Sequence, residues 1–258
     1  MSPYRAAFLS GMRRAISEPG ELSVRMLFYA VILIVFSALW KAAVGAVGGP
    51  IEGYGYVALL WYVVAAEGAV IATKPRLIED IGTDIASGAI AVEMLRPVSV
   101  VGFRIAAELG ESFVRLGFAT VVGGGLAIAF AGGPPNPAGL GLAVPSAVLA
   151  VACNLAAQHA FAAVAFWLED AKSAWFLYQK LVFLVGGMLL PLEFLPGSLR
   201  AVAWVLPFWT TSYAPARLAA GHVEAELLLG QLLWLAALVG AAMAAFAAGE
   251  GRLEVAGG

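Results

Sequence analysis

Apolar residues run along this chain in stretches of about twenty, not in the alternating or one-faced patterns of soluble elements. The first stretch covers residues 26–47 and stops at Gly48, Gly49 and Pro50; the second covers 54–73. A polar segment from Lys74 to Arg96 follows, punctuated by Pro75 and Pro97. Further apolar stretches occupy residues 101–131, 140–168, 174–192 and 227–248, with a GGPPNP turn at residues 132–137. About 20 apolar residues in a helix cross a bilayer core. The pattern therefore predicts an all-α integral membrane protein with six transmembrane helices, forming a single domain over residues 1–258.

Two segments do not fit a simple span. Between the fifth and sixth stretches, Pro191, Pro196, Pro207 and Pro215 break the apolar run Leu192–Leu218. This predicts one or two short re-entrant helices in the outer leaflet, covered by neighbouring protein. Within residues 1–24, Tyr4, Phe8, Met12 and Ile16 recur at every fourth position with Arg5, Arg13 and Arg14 between them. That spacing predicts an amphipathic helix lying in the headgroup region. No continuous apolar run precedes a small-residue cleavage site there, so the segment is not read as a secretory signal.

Composition agrees with the pattern. The 258 residues are 62% hydrophobic and 12% charged, against about 25% charged in a soluble domain. The formal net charge is -2, and no basic stripe of the kind phosphate binding needs is present, which argues against a nucleic-acid partner. Cys153 is the one cysteine and lies in an apolar run, where it is read as a small hydrophobe. Of the 15 lysines and arginines, twelve fall in the segments that are cytoplasmic if the N-terminus is inside; only Lys41, Arg200 and Arg217 fall outside. This positive-inside bias places both termini in the cytoplasm.

Chemistry-bearing residues are few. Glu67 stands alone in the second span, where a charged carboxylate at mid-bilayer costs about 3 kcal/mol. It must face the bundle interior, a water-filled path or the interface, or be neutral. Asn154, Gln158 and His159 share nearly one face of the fourth span; they either line a path or bond to neighbouring helices. In the segment 74–97, Glu79, Asp80, Asp84 and Glu93 accompany an apolar face of Ile78, Ile81, Ile85, Ile90 and Leu95. It is either a lever docking into a groove on a soluble partner or a solvated helix lying on the lipid. Walker A, H-E-x-x-H and G-x-S-x-G patterns are all missing. No metal site is expected, and any energetic work draws on another polypeptide.

Four stretches carry a family likeness: Ile81, Ser87–Ile90 and Leu95–Pro97 after the second span; Phe166–Ala171 closing the fourth; Pro191–Gly197 with Leu206–Phe208; and Tyr213–Ala216. In this order they resemble ABC-2-type exporter permeases, specifically a bacterial branch of six-span proteins encoded as paired permeases beside an ATPase. The resemblance implies a transport subunit of the bacterial inner membrane that has no ATPase site or cofactor of its own. ATP and Mg would be bound by a partner ABC ATPase, and a second permease, identical or sibling, would complete the pathway. It also implies a cytoplasmic coupling helix bearing Glu79, Asp80, Ile81, Asp84, Gly88, Ile90, Glu93, Leu95 and Arg96. Glu67, Asn154, Gln158 and His159 match no family feature and are candidate pathway lining. A stand-alone secondary transporter or channel is the alternative, with Glu67 as its ion-coupling group.

Overall fold

The computed structural model describes residues 2–95, 97–168 and 171–256. It is 81% helical, without strands among those residues. Eleven α-helices follow in chain order: α1 (Pro3–Ser17), α2 (Pro19–Val47), α3 (Tyr56–Ile71), α4 (Leu77–Ala86), α5 (Ala89–Met94), α6 (Val100–Ala131), α7 (Pro137–Ala162), α8 (Lys172–Val185), α9 (Gly197–Val205), α10 (Tyr213–Ala219) and α11 (Glu226–Ala256). Among the described residues, four units are long and apolar enough to cross a membrane: α2, α6, α7 with its 3-10 extension to Phe166, and α11. The chain is thus a multi-pass all-α membrane protein.

The apolar helices extend beyond the apolar stretches wherever their ends can satisfy polar groups. Helix α2 begins at Pro19, seven residues before the apolar run, because proline suits a first helical position and Glu21 pairs with Arg25 one turn on at 2.7 Å. The Ser99 side chain accepts from the Gly102 amide at 3.1 Å to start α6, and Asn136 accepts from Ala138 at 3.0 Å to start α7. Helix α8 does the opposite. Expected to run to residue 192, it ends at Val185, because Gly187 takes a left-handed φ of 71° that side-chain-bearing residues rarely adopt. At 1.5 Å per residue, its 14 residues cover only about 21 Å. The proline-broken segment after it forms α9, α10 and two 3-10 turns, Leu192–Phe194 and Pro207–Thr210.

Helix α1 packs along the polar first half of α6. Its contact face is Ala7, Gly11 and Ala15, all buried, while Tyr4 and Ile16 of the aromatic and aliphatic stripe stay exposed. Small residues four apart let two helix backbones approach closely. A Cβ on Gly11 would lie 2.0 Å from the Ala107 carbonyl oxygen, and one on Gly110 would lie 2.0 Å from that of Phe8. Helix α7 is the central post, packed against α3, α4, α6, α8, α10 and α11. A buried Gln231 fastens α11 to it, accepting from the Ser146 hydroxyl at 2.8 Å and donating to the Ser146 and Thr210 carbonyls.

Candidate functional site

Three polar layers cross this apolar bundle. The first, around the start of α2 and α6, ties four segments by charge. Lys74, just past α3, lies 2.9 Å from Glu108 and 3.3 Å from Glu111. Arg115 reaches Glu111 at 3.0 Å and Glu21 at 3.3 Å, and Arg14 of α1 approaches Glu111 at 3.5 Å. Arg25 donates to the Ile71 and Thr73 carbonyls at 3.0 and 2.8 Å as well as to Glu21. Arg115, buried, and Arg25 and Lys74, half-buried, sit against acid or carbonyl partners, as groups removed from water require, while Arg14 reaches in from the exposed side.

Above this layer lies a cavity of about 840 Å³ between α2, α3, α7 and α8, within the size range of small-molecule sites. Its walls are largely apolar, with Phe28, Val70, Ile71, Val182, Phe183 and Met188 among them. Exposed Gly20, Val24 and Phe28 on α2 and Gln179, Lys180 and Phe183 on α8 form its rim. It therefore opens sideways between α2 and α8, and its wall near the first layer includes Lys74 and Pro75.

Three of the four candidate lining residues meet here. Asn154 donates to the Thr73 hydroxyl at 3.0 Å and accepts from Gln158 at 3.1 Å and from the Tyr178 hydroxyl. Glu67 faces the same cavity, is only 5% exposed, and has no hydrogen bond or salt bridge among the described residues. His159 does not line it. Although adjacent to Gln158, its ring is fully buried elsewhere, with Nδ1 2.8 Å from the Leu155 carbonyl and Nε2 without a partner among the described residues. One residue of helix turns a side chain by about 100°, so neighbours at i and i+1 need not share a wall. Sequence reasoning missed Thr73 and Tyr178; the one available signal was a phenol tip inside an apolar run.

The third layer lies at the opposite end of the bundle. Arg217 of α10 holds Glu224 through both carboxylate oxygens at 2.8–3.1 Å and also donates to Glu193 and to the Tyr54 hydroxyl. Tyr213 donates to the same Glu193 at 2.7 Å. Below it, the turn at Gly186–Gly187 is bound by the Tyr62 hydroxyl, the Ser212 hydroxyl and the Tyr213 amide. Met188 at the far end of the cavity belongs to this turn, so the third layer fixes the residues that bound the cavity.

The segment between α3 and α6 forms two helices: α4 is set against α7, its 3-10 extension and α8, and α5 packs on α4. Ile78, Ile81, Ile85 and Ile90 are buried within this chain. Asp84 and Glu93 are taken by Arg104 of α6 at 2.7 Å each. Of the candidate coupling residues, Asp80 and Leu95 are exposed, Glu79 and Gly88 are half-buried, and Arg96 lies outside the described residues. Glu169 and Asp170, part of the family likeness, also lie outside them.

No curated protein matches the sequence. The model of a family described as ABC-2 family transporter protein matches residues 26–257, from within α2 through α11. With that match spanning nearly the whole bundle, the chain belongs to the ABC-2 transporter family and is an ABC-2-type permease.

Proposed function

We propose that this permease forms half of the translocation pathway of an ATP-driven exporter, working as a dimer with a second permease and two copies of a separate ABC ATPase. The observation that carries the reading is the cavity itself. It opens sideways between α2 and α8, and its far end stops at the hydrogen-bonded turn around Gly186–Gly187. A second permease laid against α2 and α8 would convert this open groove into an enclosed chamber. In the six-span reading, α3 and α8 complete the set begun by the four long helices. The twelve-to-three distribution of Lys and Arg supports a cytoplasmic side for both termini, α4 and α5, in what this reading takes as a bacterial inner membrane.

On this reading α4 and α5 carry the coupling to the ATPase through what they leave outside. Asp80, Thr83, Ser87, Val92 and Leu95 are exposed, whereas the isoleucine face is used to fasten the pair to the bundle. ATP-driven closure of the ATPase dimer would press on this outer face and tilt α7, against which α4 packs. Asp80→Arg is predicted to lower recovery of the ATPase with the permease at least about tenfold, since a like-charge clash in an interface costs several kcal/mol and about 1.4 kcal/mol is already tenfold. Substrate-stimulated ATP hydrolysis should fall with it. Undiminished recovery and hydrolysis would remove the coupling role from α4.

The lone carboxylate of Glu67 favours the second reading, an ion-coupled transporter. Mild-detergent purification of the tagged chain from its native membrane separates the two. Co-recovery of an ATP-binding subunit, identified by mass spectrometry, is expected; a chain that always comes out alone would favour ion coupling.

A further inference from the structure

The cavity carries a charge pattern that specifies more than a route. Five ionisable side chains with a formal charge at neutral pH border it: Glu21, Arg25, Glu67, Lys74 and Lys180. Glu21 and Arg25 face each other at 2.7 Å, and Lys74 is held by Glu108 and Glu111. Lys180 is exposed at the rim, its ammonium 5.0 Å over the ring of Phe176, which does not line the cavity. Glu67 is left as the one buried lining charge whose counter-ion is absent among the described residues. It faces a space rimmed by Phe28 and Phe183 and bordered by the amides of Asn154 and Gln158.

A carboxylate buried without a partner is costly, and an incoming opposite charge removes that cost while gaining attraction strengthened by the poorly polarisable surroundings. An anion would meet repulsion at the same place. The aromatic rings at the rim add apolar contact for a cation's substituents. A hydrated metal ion fits poorly: Glu67 supplies a single carboxylate, and no group of three or more His, Cys, Asp or Glu side chains is placed to hold a metal among the described residues. We propose that the cavity binds a lipophilic organic monocation, with Glu67 as its counter-charge and specificity-determining residue. This names the substrate class of the pathway proposed above and rests on that reading only for the statement that the bound cation is exported.

The test is equilibrium dialysis of the purified full-length chain, with whatever partners co-purify and without ATP, against three probes of similar size and apolar character. These are tetraphenylphosphonium, tetraphenylborate and the neutral triphenylphosphine oxide. The wild-type protein should hold the cation at least about tenfold more tightly than the anion. Glu67→Gln should weaken the cation about tenfold and leave the neutral probe unchanged; Glu67→Asp, as a fold-preserving partner variant, should keep most of the cation preference. Equal binding of cation and neutral probe, or an unchanged cation affinity in Glu67→Gln, would overturn the proposal. The readout needs no ATP hydrolysis. A chain that binds the cation but never recovers an ATPase would keep the site and lose the exporter, and the reverse result would do the opposite.

Discussion

Gly11 and Gly110 show how much a single hydrogen atom decides in this protein. Each stands where a neighbouring helix backbone passes, and any Cβ would overlap a carbonyl oxygen. Gly11→Val should therefore push α1 away from α6, costing about 1–3 kcal/mol as overpacking does. It would also separate Arg14 from Glu111 and expose the buried charges around Arg115. A lower thermal midpoint in detergent, with earlier protease cleavage near Ser17, is the expected result; an unchanged melt would mean that α1 contributes nothing to the bundle. The sequence pattern pointed to another face of this helix. Tyr4, Phe8, Met12 and Ile16 form the conspicuous stripe, but side-chain size does not mark the face where backbones approach most closely: Tyr4 and Ile16 stay exposed, and the Phe8 side chain meets α6 by its ring, 6.1 Å from that of Phe113. The small-residue row Ala7–Gly11–Ala15 was present in the same fifteen residues and carried no hydropathy signal.

Among the elements, α4 and α5 are the pair whose amphipathicity was plain in the sequence and whose facing was not. Period-3.6 isoleucines announce a buried face, but they do not say whose surface buries it. Here the chain itself does, through α7 and α8, and Arg104 clamps the polar side through Asp84 and Glu93. Arg104→Met is predicted to loosen the α4–α5 pair by about 2 kcal/mol, in line with hydrogen bonds to charged groups, while the transmembrane helices stay folded. Hydrogen exchange should rise across Leu77–Met94 and not in α7; a rise in both would show that α4 is part of the bundle's cooperative core. Helix α8 was over-extended for a similar reason. Residues 174–192 read as one apolar run, and only the positive φ at Gly187 and the hydrogen bonds of Tyr62 and Ser212 end it early.

Across the whole molecule, the polar layer at the Arg217 end of the bundle responds to protons through two groups outside the spans. The layer around Arg217 joins the α2–α3 loop, the Leu192–Phe194 turn, α10 and the loop before α11. Its titratable members outside the spans include His222 and Glu224. Burial, followed by the nearby Arg217 guanidinium, holds the His222 imidazole below its ordinary value of 6.5. Arg217, 3.5 Å away, faces it from α10; Glu224 lies 3.9 Å away, the Tyr54 ring 5.3 Å, and Glu193 acts at longer range. Glu224 is held below its ordinary 4.5, first by its hydrogen bonds to Arg217.

Both shifts act in the same direction but in different windows. A histidine whose folded value is depressed contributes fully above about 6.5 and loses that contribution as pH falls toward its folded value. A depressed carboxylate keeps its contribution until pH falls below about 4.5. The thermal midpoint should therefore drop between pH 7.5 and 5.5 because of His222, and drop again only in stronger acid because of Glu224. His222→Gln should flatten the first decline and leave the second; Glu224→Gln should do the reverse, with a loss at neutral pH of about 1 kcal/mol or less for so exposed a pair. A wild-type midpoint flat from pH 7.5 to 5.5 would mean that this end of the bundle opens without reference to His222. If the decline appears, acid loosens the end of the bundle beyond Met188, and pH alone then opens that end of the cavity.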